Sequence, residues 1–115
     1  MHACYAMEKF IVANWKMNRG TLKDLPFLKE IRGLAFKKKI RPIIAPPFTL
    51  LLRARAALKE SGFLLAAQDC SPYEEGAYTG DISATMVKEC GCTYVILGHS
   101  ERRRLHKETS ETVRH

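Results

Sequence analysis

Four short apolar runs, Phe10 to Asn14, Pro42 to Ala45, Phe63 to Gln68 and Tyr94 to Gly98, recur along the chain, and none contains a charged residue. They are too short for stable helices and rich in β-branched and other apolar residues, so each reads as a β-strand. None alternates strictly between polar and apolar positions. Continuous apolar runs of this kind suit parallel strands covered on both faces.

Between the runs lie amphipathic stretches. In the first, Leu28, Ile31 and Ala35 share a helical face, with Asp24 as the N-cap and Pro26 in the first turn, where its missing N–H costs nothing. The second runs from about Leu50 to Ser61, with Leu51, Ala54 and Leu58 on one face and Gly62 placed to terminate it. In the third, Ile82, Met86 and Cys90 recur at helical spacing and Gly91 closes the helix. A fourth helical region begins at Ser100 and is cut off at His115. The order is therefore strand, helix, strand, helix, strand, helix, strand and part of a fourth helix, at about 30 residues per βα unit. Such an order implies an α/β fold with a parallel sheet and right-handed crossovers. The pattern fits equally an open doubly wound sheet and the first half of an eight-stranded barrel.

With 115 residues the chain is a single domain at most, and the expected division is a short tail over residues 1–7 followed by one unit over residues 8–115. A formal net charge of +7 favours an anionic partner, whether nucleic acid, an acidic membrane or a phosphorylated metabolite. The densest basic runs, Lys37 to Lys39 with Arg41 and Arg102 to Arg104, are not interleaved with the aromatics that stack on bases, so they read as solvated faces rather than a nucleic-acid surface. No stretch has the apolar length to cross a bilayer, and Met1 to Met7 lacks the apolar core of a signal peptide, so a cytoplasmic location is expected. Cys4, Cys70, Cys90 and Cys92 match neither a redox pair nor a zinc knuckle, and His106 and His115 add no regular spacing. Free thiols and no metal site are the expectation.

Three places can carry chemistry. Asn14 and Lys16, at the carboxyl end of the first strand, are expected to face one space with Trp15 turned away. A lysine there suits an anion, because α/β folds bind ligands outside the carboxyl ends of their strands; a solvated strand-end lysine is the alternative. His99 closes the apolar run Val95-Ile96-Leu97-Gly98, and Ser100 then opens a helix with Glu101 in its first turn. A ring beside a helix amino end is held neutral and can donate a hydrogen bond to a carbonyl without carrying charge. The third place is the loop from Glu75 to Asp81, which has two glycines but not the spacing of a nucleotide phosphate loop, and whose length suggests a projecting functional segment.

The segments Phe10-Ile11-Val12-Ala13-Asn14-Trp15-Lys16-Met17-Asn18, Ala67-Gln68-Asp69, Gly76-Ala77-Tyr78-Thr79-Gly80-Asp81-Ile82-Ser83 and Val95-Ile96-Leu97-Gly98-His99-Ser100-Glu101-Arg102-Arg103 resemble, in order, the signature segments of the triosephosphate isomerase family. The resemblance covers about Lys9 to His115. It implies the first half of a (β/α)₈ TIM barrel, with four parallel strands, three full helices and part of a fourth, and an active site on the carboxyl-end face. It implies interconversion of dihydroxyacetone phosphate and glyceraldehyde 3-phosphate, a step of glycolysis and gluconeogenesis, by enediol proton transfer without cofactor or metal. By the same resemblance Lys16 is catalytic and binds the substrate phosphate, Asn14 assists it, and His99 polarises the carbonyl as a neutral electrophile. Glu101 corresponds to the family's glutamate near that lysine, and Ser100 to its neighbour in the turn. Gln68 and Thr79 correspond to positions at the interface of a homodimer. Asp69 stands where the family more often has asparagine.

A complete barrel of this kind needs about 250 residues. The family's glutamate base, closing lid and phosphate-binding amides belong to the later units, and His106, Glu108 and Glu111 have no reason to face the site. The fragment is therefore expected to be inactive alone. The alternatives are a non-catalytic half-barrel that binds a partner or an anion, and a basic open-sheet protein that binds nucleic acid; the signature segments disfavour the latter.

Overall fold

The computed structural model describes residues 7–115. Cys4 and the expected tail, apart from Met7, lie outside the described residues. Four parallel strands, β1 (Lys9–Asn14), β2 (Ile40–Ala45), β3 (Leu64–Ala67) and β4 (Tyr94–Val95), form one sheet in the order β1-β2-β3-β4. The helices are α1 (Leu25–Ile31), α2 (Leu51–Ala57), α3 (Ala84–Glu89), α4 (Ser100–Leu105) and α5 (Ser110–Arg114). A doubly wound sheet would reverse its strand order at a switch point; here the order follows the chain without reversal. The sheet is also bowed. In a flat sheet β1 and β4 would lie roughly 14 Å apart, three strand spacings, yet the rings of Phe10 on β1 and Tyr94 on β4 meet edge-on at 5.8 Å. Sequential order and curvature together make the half-barrel.

Strand alternation divides the apolar side chains between two faces. Ile43, Ala45 and Ala66 line the concave side with Leu64 and Ile96. Ile44 and Leu65 point outward into the main core, where Leu28 of α1 and Ala54 and Ala57 of α2 cover them with Leu50 and Leu58. Ala67 on the same outer face packs with Leu51 and Val87. The two central strands are thus covered as expected, but β1 and β4 are not. Ile11 on the outer face of β1 is 53% exposed and Phe10 and Val12 on its inner face are as open, because among the described residues β1 has a neighbour on one side only and no helix lies over it.

The helices depart from expectation in ways their ends explain. Asp24 takes the N-cap position of α1 and Pro26 its first turn, as expected, but the Asp24 carboxylate makes no bond to the helix: it reaches back to the amides of Gly20 and Thr21, 2.9 Å each, and those bonds hold it below the usual carboxylate range. Leu28 is buried and Ile31 half-buried, whereas Ala35 lies beyond the helix and is exposed. The face of Leu51, Ala54 and Leu58 is buried as expected, yet α2 stops at Ala57, and Glu60 rather than Gly62 takes the left-handed conformation, φ 61°. Ile82 precedes α3 and lies out of helical phase, so the residue turned into the core is Val87, and Met86 is 51% exposed. Ser83 caps α3 by accepting the Met86 N–H, and Gly91 closes it with φ 90°. The fourth helical region is two short helices parted at Lys107, φ 60°. Among the described residues, no helix is long and apolar enough to cross a membrane.

Candidate active site

The residues expected to carry chemistry meet at the carboxyl ends of β1, β3 and β4. The first strand ends at Asn14, whose Oδ1 accepts the Lys16 N–H at 2.9 Å. Trp15 turns the other way, packing against the main core and tilted on Phe27 at 6.0 Å, with the Arg19 guanidinium over both rings. So far the alternation expectation holds. Lys16, however, has left the strand: its φ is 55°, a left-handed conformation that costs an L-residue roughly 1–2 kcal/mol. The Lys16 carbonyl accepts from Gln68 Nε2 at 2.9 Å, and the same nitrogen donates to the Ala45 carbonyl at 2.8 Å. Gln68 is thus turned onto its own chain, while Thr79 is exposed on its loop, and no hydrogen bond joins the two among the described residues.

From the other side, Ile96 N bonds to the Ala67 carbonyl at 2.9 Å and so continues the β4 pairing past its short strand. Gly98 follows with φ 59°; a Cβ there would sit 2.6 Å from Val113, so only glycine fits this turn. His99 is the N-cap of α4, and its Nδ1 accepts the Glu101 N–H at 3.1 Å. An acceptor Nδ1 in a neutral ring leaves the proton on Nε2. Ser100 stands exposed in the first turn.

Glu101 joins the two halves of the site. Its Oε1 accepts from Lys16 Nζ at 2.7 Å, while its Oε2 lies 3.6 Å from His99 Nδ1. The hydrogen bond from Lys16 holds the carboxyl below its ordinary range, the charges of Lys16 and Arg104 add to it, and burial opposes the shift without reversing it. With side chains 47% and 39% exposed, the pair contributes little to stability. What it fixes is the position of the ammonium.

Sequence reasoning missed the work of the arginine run. Arg102 bridges Asp69 at 3.1 Å and Glu108 at 2.6 Å, and Arg103 donates to the Gly98 carbonyl and to Ser110, so two of the three arginines tie α4 to β3 and to α5. Lys37 to Lys39 are exposed, as a solvated run should be. Burial raises the Asp69 carboxyl above its ordinary range, helped by the charges of Glu108 and Asp81, and the Arg102 charge only partly offsets this. A cavity of about 440 Å³ lies along Asp69, Arg102, Glu108 and Val113 and touches none of Asn14, Lys16 or His99. The site itself is an open shelf. Among the described residues no cluster of histidine, cysteine and acidic side chains could hold a metal, and burial pushes the Cys92 thiol up to about 11.

This geometry can be set beside known proteins. The family profile described as Triosephosphate isomerase matches residues 9–115. A triosephosphate isomerase of Gluconacetobacter diazotrophicus is 48% identical over 110 residues, 94% of this chain and 44% of that protein. One of Alkaliphilus metalliredigens is 45% identical over 108 residues, again 44% of its length. A crystal structure of triosephosphate isomerase from Bartonella henselae superposes with a TM-score of 0.86 at 44% identity, covering 94% of this chain and 45% of that one. The chain thus spans a little under half the length of these relatives, and what it spans is four consecutive βα units of their barrel. With that match over nearly all its length, the chain belongs to the triosephosphate isomerase family.

Proposed function

We propose that this chain supplies the substrate-holding half of a triose-phosphate isomerase active site, for the interconversion of dihydroxyacetone phosphate and glyceraldehyde 3-phosphate in glycolysis and gluconeogenesis. The observation that carries this reading is the constellation Asn14, Lys16, Glu101 and His99, drawn from strand ends far apart in sequence and joined through Glu101. Lys16 Nζ presents positive charge to the substrate phosphate and to the oxyanion that develops on the neighbouring carbon, with Asn14 beside it. His99 Nε2 donates its proton in a hydrogen bond to the carbonyl, so the enediol forms against a neutral donor. Glu101 and Ser100 hold these groups in place.

Proton abstraction from carbon needs a base that these residues do not provide. Glu101 is held ionised by Lys16, which makes it a weak base and an occupied one. Glu108 is bound to Arg102, His106 is exposed at the end of α4, and Glu111 is exposed on α5. The base is therefore proposed to come from the later units of the barrel, and the chain by itself to be inactive. By the same family reading, residues 8–115 are one incomplete domain, Gln68 and Thr79 belong to a homodimer interface of the whole enzyme, the reaction uses no cofactor or metal, the location is cytoplasmic, and neither nucleic acid nor membrane is a partner.

A second reading, a non-catalytic half-barrel that binds a partner, is favoured by one observation: Phe10 and Val12 on the concave face are about half exposed. The test is to mix the chain with a separately expressed carboxyl-terminal half of a relative and follow glyceraldehyde 3-phosphate. Turnover that appears on mixing and is lost with His99→Ala supports the isomerase. A stable complex with no turnover supports the second reading.

A further inference from the structure

Two strands of this sheet carry an open edge. The Lys9 and Trp15 amides donate to the Lys39 and Ala45 carbonyls on the β2 side, at 2.8 and 3.0 Å. Strand alternation therefore turns the N–H and C=O groups of Phe10 and Val12 to the outer edge of β1, where no strand pairs with them among the described residues. β4 pairs with β3 alone, which leaves its far edge open too. Such edges are templates for another strand.

Between the two edges lies an apolar hollow. Phe10, Val12, Ile43, Ala66, Tyr94 and Ile96 line a groove of about 290 Å³ on the concave face, and Phe10 and Val12 are half exposed there. The face is also neutral, although the chain carries a formal net charge of +7. Alternation with Ile43 puts Arg41 on this side of β2, and its guanidinium is paired with Glu8 at 2.8 Å. Beyond the carboxyl end of β1, Lys16 is paired with Glu101 at 2.7 Å. Lys37 to Lys39 and Arg104 are not among the side chains that line the groove. Like-charged copies of this chain can thus meet on this face without setting cation against cation.

Whatever covers the hollow must bring an apolar concave surface and two parallel edges. A second copy brings both. The four strands overlay the four consecutive units of a closed barrel in the Bartonella henselae structure, so a half-turn about the barrel axis sets β4 of each copy beside β1 of the other. Both seams are then parallel, and the strands number eight, at which inward side chains just fill a barrel. Because each copy sweeps half a turn, the assembly closes at two and no edge remains, whereas antiparallel pairing of β1 with β1 would leave both β4 edges open.

We propose that this chain pairs with a second copy of itself through its concave face, β4 of each against β1 of the other, to close an eight-stranded barrel. The inference goes beyond the isomerase reading and does not rest on it, and the seam differs from an interface through Gln68 and Thr79, which lie past the strand ends. The test is sedimentation of the 115-residue chain across a dilution series, with two variants beside it. The parent should have the mass of two chains. Val12→Glu, which sets a charge in the hollow, should give the mass of one, and Thr79→Arg should leave the dimer intact. A parent that is monomeric throughout, or larger than a dimer, overturns the proposal, and so does a dimer that survives Val12→Glu or is lost in Thr79→Arg. Should Val12→Glu fail to fold, the parent decides: in a mixture of isotope-labelled and unlabelled chains, Overhauser contacts between copies that join β1 to β4 support the seam, and their absence refutes it. None of these readouts uses activity, so a failed seam leaves the mixed-halves assay untouched.

Discussion

Glu101 Oε1 lies 2.7 Å from Lys16 Nζ, although 85 residues of chain separate them. The contact closes the half-barrel's carboxyl-end face, since Lys16 follows β1 and Glu101 sits in α4 after β4, the two outermost strands of the sheet. It also divides the labour of the site, because a carboxylate engaged by an ammonium positions charge and gives up its use as a base.

The pair should titrate as one unit. Glu101's carboxyl is lowered in the folded chain, so its contribution is present above the ordinary carboxylate value and is lost as pH falls through the lowered one. Carbon NMR of the Glu101 carboxyl should show titration below the ordinary range in the parent and a return toward it in Lys16→Ala. An ordinary titration in the parent would mean that the pair does not form in solution.

Lys16→Ala should remove most turnover in the reconstituted barrel. A preorganised charge at a developing oxyanion contributes about 3 kcal/mol, roughly a hundredfold in rate. Activity within a few fold of the parent would remove Lys16 from the site.

The His99 ring should carry its proton on Nε2, with Nδ1 as the acceptor from the Glu101 amide. Nitrogen NMR distinguishes the two ring nitrogens directly. A spectrum with the proton on Nδ1 would leave the ring without a donor for the substrate carbonyl and would contradict the proposed role.

Asp69→Asn should stabilise the chain at neutral pH. The folded chain holds the Asp69 proton above the ordinary carboxylate range, so the native state binds more protons than the unfolded one in that window, and stability falls as pH rises through it. Asparagine keeps an oxygen for Arg102 and removes the charge that burial, Glu108 and Asp81 disfavour. Urea unfolding at pH 7 and at pH 4 is the check: the gain should be present at pH 7 and shrink at pH 4. A loss of stability at pH 7 would show that the Arg102 bridge outweighs burial.

How far the sequence could be read depended on distance along the chain. Strands β2 and β3 were legible from their apolar runs because burial on both faces leaves a continuous signature, and β1 carries the same signature although its faces are half exposed here; the shortness of β4 was not legible, because among the described residues it pairs with β3 alone. Helix faces were legible where the helix began in phase, as with Leu51 and Ala54, and were lost where a cap reset the phase, as Ser83 did in favour of Val87 over Met86. Asn14, Lys16, His99 and Glu101 stood out by their motif. The inward turn of Gln68 and the Arg102 bridge did not, since both depend on which strand ends come together in space, and no local spacing records that.

The most direct test of the account is turnover by the 115-residue chain alone, at high protein concentration and beside the same chain mixed with a carboxyl-terminal half. A positioned general base contributes about 10² to 10⁴ in rate, and loss of the substrate enclosure compounds the deficit, so the chain alone should not exceed the buffer rate while the mixture turns over glyceraldehyde 3-phosphate. Robust turnover by the lone chain, sensitive to His99→Ala, would mean that a group within residues 1–115 serves as the base, and the assignment of Glu101 to positioning would have to be abandoned.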